Sequence, residues 1–216
     1  MSKFVTTNFV NILLLALWPV SILTHIYWLP ESISVPAISD AGYVSIITLT
    51  FVACTFITIL TLVFNTNLIS SKLTASAAAY VLAIYFLREA DIHRLITAEH
   101  VTRGKFYTMQ SIPLWQKLFA AAVFLILTVC ILYLLIKYAR TLWSKVRALE
   151  PWAVALFLWF TILCISQLCD KSGLNHTHFG RVIEENSECW AAIFLFLTTI
   201  QLIPTLTVCK QDKSFT

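Results

Sequence analysis

Six apolar runs, most of them close to the length that crosses a bilayer, constrain this chain more than any other feature. They cover Phe9 to Leu29, Tyr43 to Phe64, Leu73 to Leu87, Leu118 to Ile136, Trp152 to Cys169 and Cys189 to Cys209. A hydrocarbon layer of about 30 Å is crossed by about 20 residues rising 1.5 Å each. No water reaches backbone groups there, so only helices and closed barrels can cross. The runs are continuous, not alternating, and too long for barrel strands of about ten residues. The expectation is therefore an all-α, polytopic membrane protein, a bundle of six transmembrane helices. Composition agrees: 59% of residues are hydrophobic and 12% charged, with a mean hydropathy of +0.81, whereas a soluble domain carries roughly a quarter charged residues.

The helices are expected at about 9–29, 43–64, 73–93, 117–137, 152–170 and 188–209, in a single transmembrane domain covering 1–216. Only Lys3 precedes the first run, and Ser34-Val35-Pro36-Ala37 makes a poor cleavage site, so that run reads as a retained helix, not a signal peptide. Six spans put both termini on one side. That side also receives the segment Lys137 to Arg147, expected as a short loop, which carries basic residues and no acid. Lys and Arg mark the cytoplasmic side, so N- and C-termini are expected in the cytoplasm and the chain in the cell inner (plasma) membrane as a multi-pass protein. Trp28, Trp115 and Trp190 fall at the expected outer edges and Trp143 and Trp152 at the inner edge, where indoles concentrate.

The third run is the shortest and ends on "READIHR", Arg88 to Arg94. Counting about 20 residues from Leu73 puts the outer boundary near His93, so Arg88, Glu89 and Asp91 are expected within the outer leaflet. Charge at that depth costs a few kcal/mol and usually turns inward, pairs and serves function. Arg88 to Asp91 and Asp91 to Arg94 are i,i+3, and Glu89 to His93 is i,i+4, so pairing is available. The plainer alternative is a tilted helix whose long side chains snorkel to the headgroups. Polar groups come in at the same level elsewhere: Ser21, Thr24 and His25 on the first helix, Ser166, Gln167 and Asp170 on the fifth. Glu184, Glu185 and Glu188 lie in "RVIEENSECW", ahead of the sixth. An outward-facing polar pocket follows. Asp91 and His93 are its expected catalytic core, and Glu89 or Asp170 would orient them. Arg88, His25, Glu184, Glu185 and Glu188 are expected to contact substrate.

Arg103 and Lys105 lie among aromatic residues in "TRGKFYTMQSIPLWQ", a mixture suited to lipid headgroups and a candidate lipid-substrate surface. Asp91 and His93 are also the expected ligands of any divalent metal such as zinc, and His176 and His178 form an H-x-H pair that could also bind metal. Cys169 and Cys189 flank one loop, which leaves a disulfide and two free thiols both open. No G-x-S-x-G, H-E-x-x-H, P-loop or glycine-rich nucleotide turn occurs. The expected partners are membrane lipids and a protein on the outer face, and no nucleic acid.

Several short motifs carry a resemblance. They are Arg88-Glu89-x-Asp91-x-His93, Lys105-Phe106-Tyr107, Pro113-Leu114-x-x-Lys117, Asp170 and Glu184-Glu185-x-x-Glu188. Together they resemble a group of uncharacterised bacterial six-helix inner-membrane proteins, which implies bacterial origin but no reaction. Asp91, His93 and His25 are also similar to the zinc ligands of membrane hydrolases related to alkaline ceramidases. Those enzymes have seven helices and an H-x-x-x-H on the last, and this chain has neither. Three functions are consistent with the sequence: a hydrolase or transferase acting on a lipid or envelope substrate, a non-enzymatic subunit docking a partner through its acidic outer face, and an ion- or proton-coupled transport component.

Overall fold

A computed structural model describes residues 2–39, 42–64, 72–90, 92 and 104–213. These form α1 (Ser2–Leu23), which runs on as a π-helical turn (Thr24–Trp28), α2 (Glu31–Ala37), α3 (Tyr43–Phe64), α4 (Lys72–Glu89) and α5 (Gly104–Thr108). They are followed by α6 (Leu114–Arg147), α7 (Pro151–Lys171), a 3-10 turn (Leu174–His176) and α8 (His178–Lys213). Among the described residues there is no strand.

Among the described residues, five helices are long and apolar enough to cross a membrane: Asn8–Trp28, Tyr43–Phe64, Leu114–Arg147, Pro151–Lys171 and His178–Pro204. The chain is a multi-pass membrane protein. The third expected span, α4, is helical, but its 18 residues include Lys72, Arg88 and Glu89 and it does not reach the same standard.

Three expected boundaries are corrected. The basic segment Lys137 to Arg147 is not a loop but the last turns of α6, a helix of 34 residues. The sixth helix begins at His178, not at residue 188, and is 36 residues long. At 1.5 Å per residue each of these is about 50 Å long, well beyond the hydrocarbon thickness. Hydropathy marks where lipid is, and Glu, Lys and Arg sustain a helix past that edge. Conversely, α4 ends at Glu89, and Ile92 N–H turns back to the Leu87 carbonyl at 3.2 Å. Asp91, His93 and Arg103, and the side chain of Lys105, lie outside the described residues.

Two compact units divide the chain: Met1–Thr58 with Arg140–Thr216, and Ile59–Ala139. In the first, Ala155 and Ile162 of α7 pack on Ala191 and Phe194 of α8, with Leu14, Leu15 and Trp18 of α1 against them. A second cluster joins Ile38, Val44, Val182 and Cys189 to Ile22 and Ile26. In the second unit, α4 and α6 share hydrogen bonds: Tyr80 Oη donates to the Val123 carbonyl (3.1 Å), and Lys137 Nζ donates to Thr74 Oγ1 (2.7 Å) and Tyr133 Oη (2.9 Å).

The turn from α6 to α7 is three residues long. Glu150 N–H returns to the Lys145 carbonyl (3.0 Å) and Leu149 N–H to that of Val146 (2.9 Å), the bond pair of a Schellman cap. Leu149 holds the left-handed position, φ 54°, where glycine is the usual residue. Pro151 then opens α7 at its first turn, where its missing N–H is harmless. Asn8 Nδ2 donates to the Leu149 carbonyl (2.8 Å) and Asn11 Nδ2 to that of Pro151 (2.9 Å), pinning the turn to α1. Replacing Leu149 with Gly should relieve the left-handed strain and stabilise the protein by about 0.5–1 kcal/mol after the entropy of the unfolded glycine is counted. Thermal unfolding in detergent, with helical content as the signal, measures this.

Candidate functional site

The polar residues of the first unit gather at the end opposite the α6–α7 turn. On α1 the helix widens into its π turn, and Leu29 N–H reaches the Thr24 carbonyl, five residues back, at 3.0 Å. Such widening leaves a carbonyl open to a side chain, and the His25 carbonyl accepts from buried Ser34 Oγ at 3.1 Å. His25, 8% exposed, is held through both ring nitrogens. Nδ1 lies 2.9 Å from the Ser21 carbonyl, which can only accept, so Nδ1 carries a proton; Nε2 meets Tyr43 Oη of α3 at 2.8 Å. Ser21 Oγ donates to the Trp18 carbonyl (2.7 Å) and accepts from Trp190 Nε1 of α8 (2.8 Å). His25 is thus a strut joining α1 to α3, beside a second strut joining α1 to α8.

A third contact joins α7 to α8. Ser166 Oγ (3.2 Å) and Gln167 Nε2 (3.3 Å) both donate to Glu188 Oε1. Ser166 is fully buried and Glu188 half-buried. Asp170, from the same α7 stripe, ends the helix with its side chain 31% exposed and 3.1 Å from Lys171 Nζ, an ion pair of adjacent residues at a wet end and so of small energetic weight.

Glu184 and Glu185 are half-buried and stand beyond the first turn of α8. Thr177 caps that helix, accepting Gly180 N–H at 3.1 Å through Oγ1. These acids, expected ahead of the sixth helix, stand inside it, past the first turn, where the attraction of the helix dipole has faded. Thr177, with the left-handed Gly173 (φ 76°) just before it, was the signal in the sequence for the true start. The cap is tight, because a Cβ at Gly180 would meet the Leu174 carbonyl.

In the second unit Arg88 Nη1 lies 4.0 Å from Glu89 Oε1, with side chains 44% and 11% exposed. This neighbour contact replaces none of the expected i,i+3 pairs, whose partners fall outside the described residues.

Cys169 and Cys189 are free thiols, so the disulfide left open by the sequence is not formed. Among the described residues no three His, Cys, Asp or Glu side chains converge to hold a metal ion, whereas a zinc site needs three or four ligands. The described donors therefore do not fit zinc. The surface groove beside the π turn is apolar, lined by Val20, Leu23, Thr24, Tyr27 and Trp28 on the exposed face of α1. It suits acyl chains.

Comparison with known proteins supplies no family for these features: no protein-family model, no curated protein and no solved structure matches the chain. Sequence reasoning singled out His25, Ser166, Gln167 and Glu188, and it missed Tyr43, Trp190 and Ser34 as their partners, because nothing local in a sequence couples residues so far apart. Tyr43→Phe should remove the Nε2 contact of His25 and destabilise the protein by about 0.6–1.7 kcal/mol, the range for interhelical hydrogen bonds in lipid. Unfolding in mixed micelles measures this, with His25→Phe alone and combined closing a double-mutant cycle.

Proposed function

We propose that the chain is a partner-binding subunit of the inner (plasma) membrane, with its termini in the cytoplasm, which docks another protein through the outward end of its first unit. One observation carries this. The best-placed carboxylate of that end, Glu188, is engaged between helices, while the residues above it stay exposed around a tightly packed helix start. Leu174 is 47% and Phe179 51% exposed, and exposed His176, His178 and Arg181 lie among them. Apolar anchors among ionisable groups, on a capped helix start, make a recognition surface. In this reading the half-buried acids Glu184, Glu185 and Glu188 stand behind the exposed residues of the cap. A photo-crosslinking residue at position 179 should yield a discrete protein adduct in native membranes, and one at position 168, on the lipid-facing side of α7, should not. Equal labelling from both positions would refute docking.

The hydrolase or transferase reading is favoured by Glu89. A carboxylate 11% exposed at the end of an apolar helix is the kind of group that membranes keep for a purpose. In that reading Asp91 and His93 form the reacting pair, Glu89 orients them, and Arg88 holds a phosphate or carboxylate of a lipid or envelope substrate. Asp91→Asn and His93→Ala should then insert and fold normally yet fail to complement a deletion. Complementation by both excludes it.

A further inference from the structure

At the other end of the first unit, the last turns of α6 present one stripe to the outside. Arg140, Trp143, Ser144 and Arg147 follow at i, i+3, i+4 and i+7 and so share a face. All four are exposed, Trp143 to 52%. Leu142, Lys145 and Val146 are half-buried. The backbones of Arg140 and Arg147 are two turns, about 10 Å, apart along the axis, with Trp143 between them on the same face.

The sequence of α6 contains no acid from Leu114 to Arg147. The next acid along the chain, Glu150, is already engaged, by Lys145 Nζ at 2.5 Å and by Trp152 Nε1 at 2.9 Å. The Arg147 guanidinium carbon lies 5.3 Å from the centre of the Trp143 ring. A cation–π contact of this kind does not use up the five N–H donors of the guanidinium, which remain available to a phosphate. The depth is also fixed. Asn8 and Asn11 hold the turn at Leu149 and Pro151, where the span Pro151–Lys171 begins, and the ends of spans lie at the headgroups.

From this stripe we infer that α6 carries a binding site for an anionic phospholipid headgroup. Arg140 and Arg147 clamp the phosphate, and Trp143 lies against the glycerol and upper acyl region. Charge complementarity selects the occupant: two cations with no acid on their helix attract a headgroup of net negative charge and disfavour one that carries its own choline cation.

The test uses the full chain in mixed micelles containing either phosphatidylglycerol or phosphatidylcholine, with native mass spectrometry counting retained lipid. The wild-type chain should retain phosphatidylglycerol preferentially. Arg140→Gln and Arg147→Gln should each weaken retention about fivefold, the equivalent of about 1 kcal/mol per cation at a membrane surface. The double variant should show no preference. Lys171→Gln, an equal change of charge at the opposite end of α7, should leave the preference intact, and circular dichroism should show unchanged helicity throughout. Equal retention of the two lipids by the wild-type chain would overturn the proposal, as would unchanged retention by the double variant or an equal loss in Lys171→Gln. Displacement of the lipid by millimolar inorganic phosphate would overturn it too, since the site would then recognise phosphate and not a membrane lipid.

Discussion

Absence of water is the constraint on which the rest of this structure depends. A polar group within hydrocarbon is costly unless it finds its partner in the protein. Trp18 Nε1, Trp159 Nε1 and Ser187 Oγ are buried without a hydrogen-bond partner among the described residues, but elsewhere the chain meets that demand at two scales. Within helices, the hydroxyls of Thr48, Thr55, Thr198 and Thr199 are buried, and each donates to the carbonyl four residues back. Between helices, Asn11 is 1% exposed; it donates to Pro151 and accepts from Gln201 Nε2 at 3.2 Å. Three helices of the first unit are thereby tied at one end by amide groups alone.

The opposite end of that unit is tied by a different set: His25 to Tyr43, Ser21 to Trp190, and Glu188 to Ser166 and Gln167. Each bond is worth little beside the packing around it, about 0.6 kcal/mol on average in such settings. Their importance lies in register, because lipid tails are as apolar as Leu and give helices no hydrophobic reason to prefer one rotation over another. A mismatch would leave a carboxylate or imidazole facing lipid, at several times that cost. Polar residues at membrane depth are thus equally suited to be struts or sites, and their hydrogen-bond partners decide between the two roles.

The same trade appears in the tight turn at Leu149. A left-handed leucine is strained, yet it closes α6, positions Glu150 between Lys145 and Trp152, and starts α7 at Pro151. Two asparagines of α1 fasten the result. Strain of this kind persists where surrounding contacts over-determine it, and here they place a basic, aromatic stripe at the end of a span.

Long apolar runs made the helical class and the membrane setting legible, because crossing hydrocarbon demands about 20 residues whatever the neighbours are. They also located α3 at Tyr43–Phe64 and α7 to within a residue of its ends. They misjudged α6 and α8, since hydropathy records where lipid stops and a helix continues for as long as its backbone bonds are favourable. Of the candidate site, the polar level on α1, α7 and α8 was readable from residue types and helical spacing. Which of those residues meet was not: His25 finds Tyr43 and Ser21 finds Trp190 only after distant helices pack, and short-range pattern carries no information about such pairs. By itself, then, the sequence determined the solvent in which this chain folds and the elements that fold in it. Tertiary structure alone decided that His25 and Glu188 bond across helices, and that the cations at the end of α6 stand on one exposed face, because partner choice and exposure are properties of packing.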